Sequence, residues 1–293
     1  MRARIRDTEI FFDIDGAALV PDGPTLREKP TAFLLHGGPG TDHTDAKATC
    51  GPLTEKLQLV YFDQRGQGRS ARGNVERYTI EENVEDLEAL RLYLGLGPIV
   101  SIGTSYGGIV AMAHAARYPD SVSHLVLVAT GAHAGFIPRA RQIVAERGTP
   151  EQIAMCESLF AGRIDTVERM RAYFETMGPL YSLKHDPVLA KVGLARTVLV
   201  PEALNRAFKP GGTLWSYDLR PQLGAIKAPT LILAGRHDWI FPPEFSEELH
   251  RHILGSDLRI FEHSAHAIRA DEKQNFLDAV AGFVVYNRNG LSV

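Results

Sequence analysis

Four short stretches of the chain carry residues that could do chemistry together. Gly103-Thr104-Ser105-Tyr106-Gly107 is a G-x-S-x-G sequence. A serine between two nearby glycines suits a sharp strand-to-helix turn, where the hydroxyl projects into solvent and the glycines avoid collisions. A serine hydroxyl is a poor nucleophile until a base takes its proton. In a turn of this kind the acid and base follow in the chain order serine, acid, histidine. Leu231-Ile232-Leu233-Ala234-Gly235-Arg236-His237-Asp238 places Asp238 just past an apolar run, and Phe261-Glu262-His263-Ser264-Ala265-His266 places His266 among small residues. Ser105, Asp238 and His266 are therefore the expected nucleophile, acid and base. The fourth stretch, His36-Gly37-Gly38-Pro39-Gly40, can bring backbone N–H groups close to a substrate oxygen. A tetrahedral oxyanion needs two such donors, and the expected pair is the N–H groups of Gly38 and Tyr106.

Competing residues are present. His263 rivals His266 as base, and Glu262 and Asp271 rival Asp238, although neither acid follows an apolar run. His263 and His266 at i,i+3 could bind a metal, but no H-E-x-x-H accompanies them. A phosphate-cradling loop would need G-x-x-x-x-G-K-[ST], and the first lysine after the glycine run is Lys47. The expectation is a reaction with no metal and no cofactor.

The elements that must position these residues are legible as short apolar runs. Thr31–Leu35, Leu59–Phe62, Ile99–Ile102, Leu125–Val128 and Leu231–Ala234 read as strands buried on both faces of a parallel sheet. Glu9–Gly16 and Leu258–Phe261 read as further strands, and Asp22-Gly23-Pro24 as a turn. Thr79-Ile80-Glu81-Glu82 reads as a capping box, after which Ile80, Val84, Leu87, Leu90 and Leu94 recur at helical spacing. A second helix is expected over Ile109–Arg117. Alternating strands and helices imply an α/β fold with a mostly parallel central sheet covered on both faces. The rhythm stops after Thr130 and returns at Pro229. Residues 1–130 and 223–293 are thus expected to form the core, with 131–222 an inserted helical cap.

Composition narrows the function classes. The 293 residues are 44% hydrophobic and 23% charged, an ordinary globular mix, and the formal net charge of −3 argues against a nucleic-acid partner. Cys50 and Cys156 cannot make a disulfide framework, which suits a cytoplasmic setting. Gly95 to Ala116 has no charged residue, but Pro98 and five glycines argue against a membrane helix. No membrane partner is expected.

His36-Gly37-Gly38-Pro39-Gly40, Asp63-Gln64-Arg65-Gly66-Gln67-Gly68-Arg69-Ser70 and Gly103-Thr104-Ser105-Tyr106-Gly107-Gly108 together resemble the proline iminopeptidase family of α/β-hydrolases, over about residues 31 to 130 and 222 to 285. The resemblance implies a serine aminopeptidase with a helical cap. It implies Ser105, Asp238 and His266 as the triad, Gly38 and Tyr106 as oxyanion donors, and the Asp63–Ser70 segment as scaffold. Relatives hold the substrate amine with carboxylates, some from the cap. Glu175 and Glu202 are the candidates here, and Trp239 stands where one relative has an acid. The segment 131–222 carries nine acids against twelve lysines and arginines, so it is not an acidic funnel. Its aromatic residues suit a small N-terminal residue on a long apolar remainder. Similar enzymes of the vicenistatin type, in macrolactam antibiotic pathways, remove an alanyl group that masks an amine of a polyketide intermediate. The reading is an aminopeptidase releasing N-terminal proline or alanine from a small peptide or aminoacyl-amide. Its alternatives are an esterase or lactonase with the same machinery, and a receptor that turns nothing over.

Overall fold

The computed structural model describes residues 1–289, so residues 290–293 of the expected core lie outside the described residues. Ten strands run in the order β1 (Arg2–Ile5), β2 (Thr8–Asp15), β3 (Leu19–Asp22), β4 (Thr25–Glu28), β5 (Thr31–Leu35), β6 (Gln58–Phe62), β7 (Ile99–Thr104), β8 (Val122–Val128), β9 (Thr230–Gly235) and β10 (Asp257–Phe261). Between and after them lie α1 (Thr44–Cys50), α2 (Ile80–Tyr93), α3 (Tyr106–Arg117), α4 (Phe136–Arg147), α5 (Pro150–Phe160), α6 (Val167–Tyr181), α7 (Pro187–Arg196), α8 (Pro201–Phe208), α9 (Pro243–His252), α10 (Ile268–Asp271) and α11 (Lys273–Asn289).

Eight strands form one sheet in the order β1-β2-β6-β5-β7-β8-β9-β10, while β3 and β4 form a separate hairpin across the Asp22-Gly23-Pro24 turn. Pairing is antiparallel for β1/β2 and β2/β6 and parallel from β6 to β10. The apolar runs are apolar because both faces of the sheet are covered. Phe33 and Leu35 of β5 join the cluster with α2 and α3, whereas Ala32 and Leu34 join the cluster with α1 and α11. Alternate residues of one strand thus feed two cores.

Helix α2 buries Ile80, Val84, Leu87 and Leu90, as their spacing requires. Its expected capping box is only half formed. The Thr79 hydroxyl accepts from the Glu82 N–H at 3.2 Å, but the Glu82 carboxylate is drawn away by Arg77 (2.6 Å) and Arg6 (2.7 Å). Two guanidiniums outcompete a backbone N–H for a carboxylate. A complete box forms instead at α5, between Thr149 and Gln152. Helix α3 starts at Tyr106, three residues before the expected Ile109, so its first turn adjoins Ser105 directly.

A buried ion cluster ties α2 to α3. Burial pushes the Glu88 carboxyl upward, but hydrogen bonds from Arg91 (2.5 Å) and His114 (3.0 Å) more than offset this and hold its pKa at about 2. That value lies below the ordinary carboxylate value of about 4.3. The ionised form therefore stabilises the fold at neutral pH, and the contribution is lost as pH falls from about 4.3 toward 2. Replacing Glu88 with glutamine is expected to cost about 2–3 kcal/mol at pH 7. Urea unfolding at pH 7 and pH 2.5 should show the gap from wild type narrowing in acid.

Between β8 and β9 the chain runs through α4 to α8. The stem of this segment is closed by an isolated antiparallel bridge between His133 and Asp218. Ala134 N–H donates to the Tyr217 carbonyl (3.0 Å) and Leu219 N–H to that of Ala132 (2.7 Å). Among the described residues no helix is long and apolar enough to cross a membrane.

Candidate active site

Ser105 sits between β7 and α3 with φ 54° and ψ −120°, a conformation that side chains rarely adopt. Its N–H donates to the Val128 carbonyl (2.9 Å), and its own carbonyl accepts from the Thr130 hydroxyl (2.9 Å) and the Gly108 N–H (2.8 Å). The flanking glycines are obligatory for packing. A Cβ on Gly103 would lie 2.4 Å from the Gly107 carbonyl oxygen, and one on Gly107 would lie 2.3 Å from that of Leu35.

His266 and Asp238 meet behind the serine, on loops that follow β10 and β9. The His266 Nδ1–H donates to Asp238 Oδ2 at 2.7 Å. The other carboxylate oxygen of Asp238 accepts the N–H groups of Ile240 (2.8 Å) and Phe241 (3.1 Å). Asp238 is thereby fixed, and it holds the imidazole in the tautomer whose Nε2 is free to act as a base. Ser105 and His266 line one cavity of about 670 Å³, together with Gly38, Tyr106 and Trp239. Among the described residues no direct hydrogen bond joins the Ser105 hydroxyl to His266. Such bonds are commonly long before substrate binds. The rival side chains are engaged elsewhere: Glu262 pairs with Arg236 (2.6 Å), Asp271 accepts from Ser182 (2.6 Å), and His263 is exposed.

The glycine loop after β5 is braced from two sides. The Nδ1–H of His36 donates to the Gly37 carbonyl (2.9 Å), while its Nε2 accepts from the Gln64 N–H (3.1 Å). Burial pushes the His36 pKa down, which keeps this pattern of one donor and one acceptor in place. Among the described residues neither the Gly38 N–H nor the Tyr106 N–H is spent on another group of the protein. Gly40, at φ 95°, lies against the start of α8: Val200 N–H donates to its carbonyl at 2.8 Å, and a Cβ there would lie 2.8 Å from the Val200 oxygen. Val198 N–H also donates to Asp42 at 2.8 Å.

The Asp63–Ser70 segment acts as scaffold. Asp63 accepts from the His43 ring (2.7 Å) and the Arg69 N–H (2.7 Å), Arg65 grips Asp86 with two bonds of 2.7 Å, and Arg69 bonds Asp42 at 2.6 Å.

The expected amine anchors are misplaced. Glu175 and Glu202 are both exposed, and neither lines the cavity. Tyr173 and Met177, one turn apart, face inward on α6, which leaves Glu175 on the opposite side of the helix. Glu202 lies 3.8 Å from Arg72 instead. Trp239 does line the cavity and is fully buried, and its indole N–H has no partner among the described residues.

Sequence reasoning counted Tyr173 and Tyr181 among the aromatic residues of 131–222 but did not pair them. The hydroxyls of Tyr173 and Tyr181 are 2.8 Å apart, and the Tyr181 ring stands edge-on to His266 (5.4 Å) and to Trp239 (5.6 Å). Burial pushes both phenols up, so they stay protonated. Among the described residues no cluster of three or more His, Cys, Asp or Glu side chains is placed to hold a metal ion.

Comparison with known proteins matches this architecture. A family model described as the alpha/beta hydrolase fold covers residues 30–272. The proline iminopeptidase PfmaB of Pestalotiopsis fici is 29% identical over 271 residues, 89% of this chain and 94% of its own. A proline iminopeptidase of Saccharolobus solfataricus is 31% identical over 270 residues, 87% and 85% of the two chains. Among solved structures, VinJ superposes with a TM-score of 0.79 at 23% identity over 98% of both chains. The proline iminopeptidase of Mycobacterium smegmatis gives 0.76 at 20% identity, over 98% of this chain and 97% of its own. A serine at a strained strand-to-helix turn, an aspartate–histidine pair on the loops after β9 and β10 and a family match over most of the sequence lead to one assignment: this chain belongs to the α/β hydrolase family and is similar along most of its length to proline iminopeptidases.

Proposed function

We propose that the protein is a serine aminopeptidase in which Ser105 attacks the carbonyl of an N-terminal residue. The observation that carries this reading is the Asp238–His266 hydrogen bond at the wall of the cavity that Ser105 lines. His266 Nε2 takes the serine proton and later gives it to the leaving amine. Asp238 orients the imidazole and steadies its positive charge. The N–H groups of Gly38 and Tyr106 stabilise the oxyanion, each worth roughly 3 kcal/mol in the transition state. Water then hydrolyses the acyl-enzyme. The names of the sequence relatives support the amide substrate.

The finer reading is a small N-terminal residue, proline or alanine, on an apolar remainder such as a polyketide-derived macrolactam precursor. Phe136, Phe160, Tyr173, Leu194 and Phe208 in the cavity wall support it. These residues come from the segment 131–222, which on this reading is a cap over the core. The buried free thiols of Cys50 and Cys156 suit a cytoplasmic setting.

One observation favours a second reading, an esterase or lactonase. Each carboxylate lining the cavity already has a partner: Asp42 pairs with Arg69, Asp45 with Arg269, and Asp186 accepts the first N–H groups of α7. A buried ammonium needs a partner, whereas an ester does not. The two readings separate on p-nitroanilides and esters of alanine and proline, each with a free and an N-acetylated amine. The aminopeptidase loses about 100-fold in kcat/KM on acetylation, as expected for a lost charged hydrogen bond. Equal turnover of both forms would establish the esterase, and a wild-type protein that a fluorophosphonate leaves unlabelled would point to a receptor.

A further inference from the structure

His266 is held from both sides by groups that also hold the end of α6. Ala265 N–H, on its N-terminal side, donates to Asp271 Oδ2 at 2.8 Å. Ala267 N–H, on its C-terminal side, donates to the Tyr181 carbonyl at 2.8 Å. The remaining oxygen of Asp271 accepts from the Ser182 hydroxyl (2.6 Å) and the Lys184 N–H (3.0 Å). Lys184 Nζ also reaches the Asp271 carbonyl. Asp271 is almost completely buried, and so is Ser182.

One carboxylate thus joins three chain segments: the loop that carries His266, the C-terminal end of α10, and the turn between α6 and α7. Nothing in the acyl-transfer chemistry uses Asp271 directly. A buried carboxylate with fewer than three donors would be costly, so the arrangement persists only while all three segments are seated.

We propose that Asp271 is a positioning residue that makes the placement of the His266 imidazole depend on the seating of the α6 end against the core. The inference rests on the reading of Ser105 and His266 as nucleophile and base. The same contact places the Tyr181 ring against His266. A substrate that seats the α6–α7 turn therefore sets the base at the same time. An imidazole displaced by an ångström loses much of its ability to take the serine proton, a loss of up to about 100-fold.

Asparagine at position 271 keeps the shape but offers one acceptor oxygen. Its amide NH2 must then face either Ala265 N–H or the Ser182–Lys184 pair, donor against donor. The test is Asp271→Asn beside Ser182→Ala, with active sites counted by fluorophosphonate titration and kcat given per titrated serine. Asp271→Asn is expected to lower kcat about 10- to 50-fold with KM within about threefold of wild type. Ser182→Ala, which removes the Ser182 bonds to Asp271 and Lys184 but leaves the Lys184 N–H on Asp271, is expected to lower kcat about 3- to 5-fold with KM likewise unchanged. Lost titratable sites with normal kcat per remaining site would mean that Asp271 only stabilises the fold, and would overturn the proposal. If Asp271→Asn does not fold, Ser182→Ala decides alone, and an unchanged kcat there overturns it. A wild-type protein unlabelled by the probe would instead overturn the Ser105–His266 reading itself.

Discussion

Replacing Ser105 with alanine is expected to reduce kcat by at least about 10⁴-fold on any amide or ester the protein turns over, and to abolish fluorophosphonate labelling. The cavity, the glycine loop and the His266–Asp238 pair remain, so substrate should still bind with near-normal affinity. Single-turnover kinetics beside a binding measurement separates the two effects. The backbone adds a second readout. Ser105 is held at φ 54° by the packing of Gly103 and Gly107 against their neighbours. Alanine does not relieve that strain, but glycine does. Ser105→Gly should therefore be as inactive as Ser105→Ala and more stable than it by about 1 kcal/mol, after the entropy of glycine in the unfolded chain is set against the relief. The difference in Tm would be about 2 °C. Equal stability of the two variants would mean that the turn stores no strain.

The second large effect falls on Asp238. Asp238→Asn keeps the size of the side chain and one oxygen for the N–H groups of Ile240 and Phe241. Its amide NH2 then faces His266 Nδ1, which must become an acceptor, so the proton moves to Nε2. The nitrogen that should receive the serine proton already carries one. A loss of about 10⁴-fold in kcat near neutral pH is expected, with little change in KM. A loss under tenfold would show that another carboxylate orients the ring. Of the rival acids, Asp271 contacts the backbone beside His266 rather than its ring, and Glu262 pairs with Arg236.

The sheet was readable because its central strands are apolar on both faces, which happens only when helices cover both sides. Ser105 and Asp238 were readable because each follows such a strand, and His266 because it comes after a shorter strand in the expected chain order. The amine anchors were not. Whether Glu175 or Glu202 faces a cavity depends on how α6 and α8 pack on the core, and composition between residues 131 and 222 does not report helix orientation. Tyr173 and Tyr181 are two turns apart on α6, a spacing that serves a lid core and a cavity wall equally well. Asp271 was visible as a carboxylate near His266, but chain order could only ask whether it was the triad acid. Its contacts with Ser182 and Lys184 cross 89 and 87 residues of sequence, and no local pattern announces them.

Helix α8 is fastened to the glycine loop by Val200 on Gly40 and by Val198 on Asp42. The strand-end loop that presents Gly38 is thus mechanically continuous with the roof of the cavity. Swinging α8 outward as a rigid door would drag that loop along and spoil the geometry at the reacting carbon. A movement of the cavity wall that leaves the site intact must therefore occur elsewhere. Helix α7 borders the same cavity through Leu189 and Leu194 yet buries none of its residues. Entry and exit there would leave the fastened side undisturbed.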